Sequence, residues 1–147
     1  MSTIFIGTSE EIVLTVLMDL NNGNVDDAIA PFAGEFTFRD HGIGLEFKNK
    51  KQLTEFFNKT RELYPDATWE TDKVFLSSDG VIATWTLQFG LIEPFYGSLS
   101  RRVQITVHGV SIVRIANGKI IDWTDYYDGL TSRRIALASY FTEWDGV

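Results

Sequence analysis

The chain has 147 residues, of which 44% are hydrophobic and 22% charged, and its formal net charge is −7. This length and composition are typical of one globular domain, so we treat residues 1–147 as a single domain. The acidic balance argues against nucleic acid or an anionic membrane surface as the main partner. Because the chain has no cysteine, disulfides, thiolate nucleophiles and zinc–sulfur sites are excluded.

No targeting or spanning segment is visible in the sequence. Met1 to Gly7 lacks the basic and apolar segments of a signal peptide, and no run approaches the roughly 18 apolar residues of a spanning helix. We therefore predict a cytoplasmic protein without a membrane partner. Aromatic residues make up 14% of the chain, which suits either a dense core or the wall of an apolar cavity.

The first half of the chain is predicted to be mainly helical. Apolar residues recur at helical spacing over residues 12–20 and stop at Asn22-Gly23. A second, short helix, capped by Asn24, is predicted to run through Ala28 to Phe32, and Pro31 favours a kink or an early end there. A strand over residues 36–40 and a short partner over 45–47 follow, and then the clearest helix, over 50–64.

Four long antiparallel strands are predicted in the second half, over residues 69–76, 81–89, 103–116 and 119–127. Asp79-Gly80 and Asn117-Gly118 are the turn pairs of two hairpins, because these residues tolerate positive φ. Residues 91–98 carry Pro94 and two glycines and are predicted to be an irregular loop. The tail over residues 131–140 is compatible with a helix.

This order predicts an α+β fold in which helices lie on one face of an antiparallel sheet. A strongly curved sheet wrapped around a long helix leaves a cone with one interior pocket, which is a natural ligand site.

One carboxylate on the last predicted strand is a candidate site residue. Alternation places Trp123, Asp125 and Tyr127 on one face of that strand. A carboxylate between two aromatic residues on an apolar face is costly unless it is paired, hydrogen-bonded or protonated. Asp125 is therefore either a functional acid or base, or a structural carboxylate satisfied by Trp123 or a tyrosine.

The chain resembles the nuclear transport factor 2-like superfamily, of cystatin-like fold. Its members include ketosteroid isomerases, limonene epoxide hydrolases and SnoaL-type polyketide cyclases. The resemblance covers about residues 12–127 and is carried by three stretches: Leu20-Asn21-Asn22-Gly23 through Phe32-Ala33, Phe36 to Asp40, and Gly118 to Asp128. It implies one SnoaL-like domain with a cone-shaped, curved antiparallel sheet wrapped around helices, and a homodimer formed through the sheet face.

The resemblance to ketosteroid isomerases places Asp40 at the position of their general base. Their oxyanion-hole tyrosine would fall near Val16, and their protonated aspartate would fall near Gly109 or Val110. Without either donor, transition-state stabilisation would be lost, so the resemblance argues against steroid isomerisation.

The other two families align best at Asp125. In the epoxide hydrolases it matches one catalytic aspartate, but the arginine and second aspartate align with Thr86 and Gln88, so the catalytic relay is broken. In SnoaL-type cyclases the aspartate matching Asp125 is a general acid/base. Of the reactions of these three families, cyclase-like chemistry is therefore the one that the sequence contradicts least.

Asp40 and Asp125 are therefore the candidate catalytic pair of a cofactor-independent enzyme acting on a small, largely apolar organic molecule. Two carboxyls in one apolar pocket should have separated pKa values, which suits isomerisation, cyclisation or dehydration. Asp40 also precedes a His-Gly pair, so a turn-forming role is the alternative. The candidate substrate-binding residues are Phe38, His41, Thr86, Gln88, Val107, Trp123 and Tyr127.

Two other functions of the protein are also compatible with the sequence. One is a non-catalytic ligand-binding or dimerisation module, and the other is an epoxide-hydrolase-like hydrolase with an altered catalytic group. No metal or other cofactor is predicted, because the two histidines, His41 and His108, have no metal-ligand spacing. His108 is expected on the outer surface of the sheet if its neighbours face the pocket.

Overall fold

The computed structural model describes residues 7–94 and 100–129. Within those residues the elements in chain order are helices α1 (Ser9–Asn22) and α2 (Val25–Ile29), strands β1 (Phe32–Asp40) and β2 (Leu45–Phe47), helix α3 (Lys50–Leu63), and strands β3 (Thr68–Ser77), β4 (Gly80–Pro94), β5 (Ser100–Ala116) and β6 (Lys119–Tyr127). The predicted α+β fold class is confirmed.

The two long helices begin and end at capping residues. Thr8 accepts a hydrogen bond from the backbone N–H of Glu11 before α1, and Asn49 accepts one from Gln52 before α3. Gly23 ends α1 in the left-handed conformation, with φ of 80°. These caps satisfy backbone groups that the helix leaves without partners, so the local sequence sets the helix boundaries.

The six strands form one sheet in the order β2-β1-β6-β5-β4-β3. The predicted hairpin at Asn117-Gly118 is confirmed, because both residues have positive φ, as a type I′ turn requires. Every neighbouring pair is antiparallel except β1 and β6, which run parallel. The predicted antiparallel sheet is therefore found at every pair but this one, where a long connection brings the first strand beside the last.

Two other local predictions differ from the structure. Residues 91–94 are not a loop, since they extend β4 and pair with β5 from Leu91 opposite Val103 to Pro94 opposite Ser100. Pro94 is tolerated there because β4 pairs with β3 only as far as Gln88, so that the end of β4 has a partner strand on one side only. The second helix begins at Val25, directly after Asn24 as predicted, but it ends at Ile29 instead of reaching Phe32, which is the early end that Pro31 favours. The predicted helix over residues 131–140 lies outside the described residues.

The core lies between the helices and one face of the sheet. Phe38 of β1 contacts the rings of Phe57 from α3 and Trp123 from β6, at centroid distances of 5.6 and 6.4 Å. Trp85 of β4 is also fully buried. Aromatic rings thus fill much of the interior where a pocket was expected. No helix within the described part of the chain is long and apolar enough to span a membrane.

Candidate active site

The two candidate carboxylates lie side by side at the ends of β1 and β6. Asp40 and Asp125 are register partners in the parallel pair, so their side chains point to the same face of the sheet. Both are buried, with exposed fractions of 5% and 3%. Two carboxylates at adjacent positions in an apolar interior cannot both ionise without a large penalty.

The Asp125 carboxylate is held by two side-chain donors from the described residues, and both reach Oδ1. The indole N–H of Trp123 donates to it at 2.7 Å, and the hydroxyl of Ser111 on β5 donates to it as well. The oxygen of Ser111 in turn accepts the indole N–H of Trp85 at 2.9 Å. Asp125 thus ends a chain of hydrogen bonds that crosses three strands.

Asp40 has a different set of partners. Its Oδ2 accepts the hydroxyl of Tyr127 at 3.0 Å, and its Oδ1 accepts the backbone N–H of Ile43 at 3.1 Å. The bond to Ile43 closes the turn between β1 and β2, so Asp40 has the turn-forming role that its position predicted. Because Tyr127 also binds it, Asp40 is fixed on both oxygens.

These surroundings act differently on the pKa values of the two carboxyls. Burial raises the pKa of Asp125 to about 7, against hydrogen bonds from Ser111 and Trp123 that lower it, and the charge of Asp40 raises it further. Burial also raises the pKa of Asp40, while the bonds from Tyr127 and the backbone of Ile43 lower it. Near neutral pH Asp125 is therefore more readily protonated than an ordinary aspartate.

Small residues allow the aromatic side chains to reach this site. A Cβ atom on Gly109 would lie 2.2 Å from the indole of Trp85, and one on Gly42 would lie 2.1 Å from the ring of Tyr127. Gly109 of β5 is the register partner of Trp85 on one side and of Tyr127 on the other. The missing side chain at Gly109 therefore leaves the space through which Trp85 reaches Ser111.

A family comparison supports this arrangement of elements. The family model of the SnoaL-like domain matches residues 15–123, which is most of the chain. The protein belongs to the SnoaL-like family. None of the curated proteins compared with the chain matches it.

Solved structures show the same fold for this SnoaL-like protein. A proposed polyketide cyclase from Acidithiobacillus ferrooxidans is 21% identical, with a TM-score of 0.70, over 92% of this chain and 99% of that one. A proposed SnoaL-like polyketide cyclase from Jannaschia sp. CCS1 is 19% identical, with a TM-score of 0.72, over 92% and 96%. A hypothetical protein from Catenulispora acidiphila with a ketosteroid isomerase-like fold, solved with trimethylamine, is 20% identical, with a TM-score of 0.68, over 87% and 93%. At these identities the likeness concerns the fold alone.

The SnoaL-like fold brings some of the predicted substrate-binding residues near the aspartate pair. Tyr127 and Trp123 bind the two carboxylates directly. Phe38 and Val107 are buried on the inner face, where Phe38 is part of the aromatic core. His41 follows Asp40 but is exposed, and its ring stacks on Tyr126 at 4.7 Å.

Thr86 and Gln88, which were also predicted to bind substrate, do not lie near the aspartate pair. They alternate with the buried Trp85 on β4 and lie on the outer face of the sheet, where Gln88 is exposed. Thr86 donates to Asp72 at 2.8 Å and is hydrogen-bonded to His108 at 3.2 Å. Placing Thr86 and Gln88 in an interior site was therefore wrong, whereas the outer position expected for His108 is confirmed.

Ser111 and Trp85 are the site residues that sequence reasoning did not assign to the aspartates. Ser111 is fully buried on the inward face of β5. Its signal was available in the sequence, because among residues 102–114 of that strand Ser111 is the one hydroxyl that faces inward, with Val103, Ile105, Val107, Gly109 and Val113. Trp85 gives no such signal, since its contact with Ser111 depends on the pairing of β4 with β5.

A partly open cavity of about 60 Å³ is formed by described residues, and neither aspartate lines it. Its lining includes Leu20, Phe57, Trp69 and Leu87, and the indole N–H of Trp69 is buried without a hydrogen-bond partner in the described structure. A space of this size holds a few water molecules rather than an organic ligand. The described residues also contain no group of three or more histidine or acidic side chains placed to hold a metal ion.

Proposed function

We propose that this SnoaL-like protein binds a small, largely apolar carbonyl compound and moves protons on it without a cofactor. The observation that carries the proposal is the pairing of two buried carboxyls, Asp40 and Asp125, as direct neighbours on parallel strands. Their unlike hydrogen-bond partners separate them into one group that is more readily ionised and one that is more readily protonated.

In this proposal Asp40 acts as the base and Asp125 acts as the acid. Asp40 as a carboxylate takes a proton from the carbon next to the carbonyl, while protonated Asp125 gives its proton to the carbonyl oxygen. The enol so formed returns the oxygen proton to Asp125 and takes the Asp40 proton at another carbon, which isomerises the substrate. Alternatively the enol carbon attacks a second carbonyl carbon and closes a ring: the enol oxygen returns its proton to Asp125, and the attacked carbonyl oxygen takes the proton held by Asp40.

A non-catalytic role is the competing proposal, and one observation favours it. Phe38, Trp85 and Trp123 fill the interior, and the cavity lined by Leu20, Phe57 and Trp69 is too small for an organic substrate. In that case the aspartates would be structural carboxylates. An epoxide-hydrolase-like reaction has less support, because Thr86 and Gln88, which align with the missing relay residues, lie on the outer face.

Substitution of each aspartate distinguishes these proposals. Asp125→Asn and Asp40→Asn should each reduce turnover of isomerisable and ring-closing carbonyl compounds by about 10²–10⁴-fold, while ligand binding is retained. Asp122→Asn is the matched control, because Asp122 is on the same strand but pairs with Arg39 on the outer face. If both interior variants alter stability only, and the wild-type protein turns over none of these compounds, the catalytic proposal is wrong.

We also propose a homodimer formed through the outer face of the sheet, as the resemblance implies. Phe75, Ile112 and Tyr126 are large apolar residues on this face, and between 42% and 51% of each is exposed. A two-fold symmetric contact would cover the same patch on both copies. Light scattering should give twice the chain mass of 16.7 kDa, and Ile112→Lys should restore the single-chain mass. A wild-type mass of one chain would contradict the dimer.

A further inference from the structure

We propose that Ser111 is a positioning residue for Asp125, which together with Trp85 directs one hydroxyl proton onto Oδ1 and reserves Oδ2 for proton exchange. This inference rests on the proposed function, since it describes how the acid of the pair is prepared. Ser111 lies on β5, between the strand of Trp85 and the strand of Asp125, and it is fully buried.

The direction of the Ser111 hydroxyl follows from its partners. A serine hydroxyl has one proton to donate, and its oxygen can accept bonds from other groups. The indole N–H of Trp85 can only donate, so the Ser111 oxygen accepts that bond at 2.9 Å. The single hydroxyl proton is then directed to Oδ1 of Asp125.

Two donors on the same carboxylate oxygen make the two oxygens of Asp125 unequal. Oδ1 accepts both the Ser111 hydroxyl and the Trp123 indole N–H, at the buried end of the hydrogen-bond chain. A proton on Oδ1 would have to displace one of these donors. The proton that Asp125 takes up is therefore carried by Oδ2, the oxygen to which the described residues donate no hydrogen bond.

The same bonds keep Asp125 able to ionise. Hydrogen bonds to a carboxylate favour its charged form, and they oppose the effect of burial on the Asp125 pKa. The other titratable groups near it are Asp40 on the neighbouring strand, Tyr127, whose hydroxyl binds Asp40, and His41, whose backbone N–H donates to the Asp125 carbonyl. An Asp40→Asn background therefore isolates the titration of Asp125.

The test is an NMR titration of wild-type protein labelled with ¹³C at the aspartate carboxyls and ¹⁵N at the indole nitrogens. The indole chemical shifts of Trp123 and Trp85 should both change with pH, with the same midpoint as the Asp125 carboxyl. Trp123 senses the carboxyl directly, and Trp85 senses it through Ser111. Trp69 is the internal control, since its N–H has no described partner. If the Trp85 resonance does not follow Asp125, the proposal is overturned, and this measurement needs no variant.

Ser111→Ala should raise the titration midpoint of the Asp125 carboxyl by about one pH unit. The indole shift of Trp85 should then no longer change with the ionisation of Asp125, whereas that of Trp123 still should. Ser111→Thr keeps the hydroxyl and should restore both properties. An unchanged midpoint in folded Ser111→Ala would overturn the proposal. These titrations use no substrate, so absence of turnover with a confirmed titration would reject only the proposed enzyme. Turnover that depends on Asp125, with an unchanged Ser111→Ala titration, would reject only the role of Ser111.

Discussion

Asp40 and Asp125 occupy matching positions on neighbouring strands, but different residues hold them. A tyrosine hydroxyl and a turn N–H bind Asp40, whereas an indole and a buried serine bind Asp125. Carboxyls with unlike surroundings titrate separately, and such separation is what acid/base chemistry near neutral pH requires. The hydroxyl of Tyr127 is the group that most directly favours the ionised form of Asp40.

Removal of that hydroxyl should weaken Asp40 as a base. Tyr127→Phe deletes a hydrogen bond that lowers the pKa of Asp40, so the Asp40 midpoint in a ¹³C titration should rise by about one pH unit. The neighbouring Tyr126→Phe is the control, because Tyr126 is exposed on the opposite face. Equal Asp40 midpoints in wild type and Tyr127→Phe would show that the bond does not tune this carboxyl.

At the scale of the elements, the strands β4, β5 and β6 build the site by alternation. Trp85, Gly109 and Tyr127 lie in one cross-strand row, and Ser111 and Asp125 lie in the next. The absence of a side chain at Gly109 lets the Trp85 indole cross β5 and reach Ser111. The hydrogen bonds that hold Asp125 therefore depend on the space at Gly109 as well as on the polar side chains.

A methyl group at this glycine should disturb the site. In Gly109→Ala the added Cβ would lie 2.2 Å from Trp85, so the indole must shift and its bond to Ser111 should break. Overpacking of this kind costs about 1–3 kcal/mol in the free energy of unfolding, measurable with urea. Gly34→Ala on β1 is the matched control, since a Cβ there meets nothing within 4 Å, and it should change stability by less than about 0.5 kcal/mol. Equal stability of the two variants would contradict the close packing at Gly109.

For the whole molecule, the buried acid couples folding to pH. The folded-state pKa of Asp125, about 7, lies above its ordinary value of 3.8, so the folded protein binds more protons than the unfolded chain between these values. The contribution of Asp125 to stability is therefore fully present below about pH 4 and decreases as the pH rises to 7. Asp40 acts in the same direction, since its pKa is also raised.

The free energies of unfolding of wild type and Asp125→Asn should reveal this coupling. When the pH is lowered from 8 to 5, the free energy of unfolding of the wild type should increase by about 2–3 kcal/mol relative to that of Asp125→Asn, because only the wild type can take up a proton on Asp125. Urea unfolding at both pH values measures the difference. Asp122→Asn, on the outer face, should show no comparable gain. A difference that is independent of pH would mean that Asp125 titrates normally in the folded protein.

Local sequence by itself determined the two long helices, the hairpin at Asn117-Gly118 and the faces of β5 and β6. Caps such as Asn49 and turn residues such as Asn117-Gly118 act within a few residues of themselves, and alternation placed Asp125 inward and His108 outward. These features need no knowledge of distant residues, because each depends on local backbone conformation and a period of two.

Only the tertiary structure decided which residues meet. The parallel pairing of β1 with β6 puts Asp40 beside Asp125, and the pairing of β4 and β5 puts Trp85 on Ser111. The same pairings extend β4 through residues 91–94 and place Thr86 on the outer face. Strand order and register arise from packing between segments far apart in the chain, which no local pattern encodes.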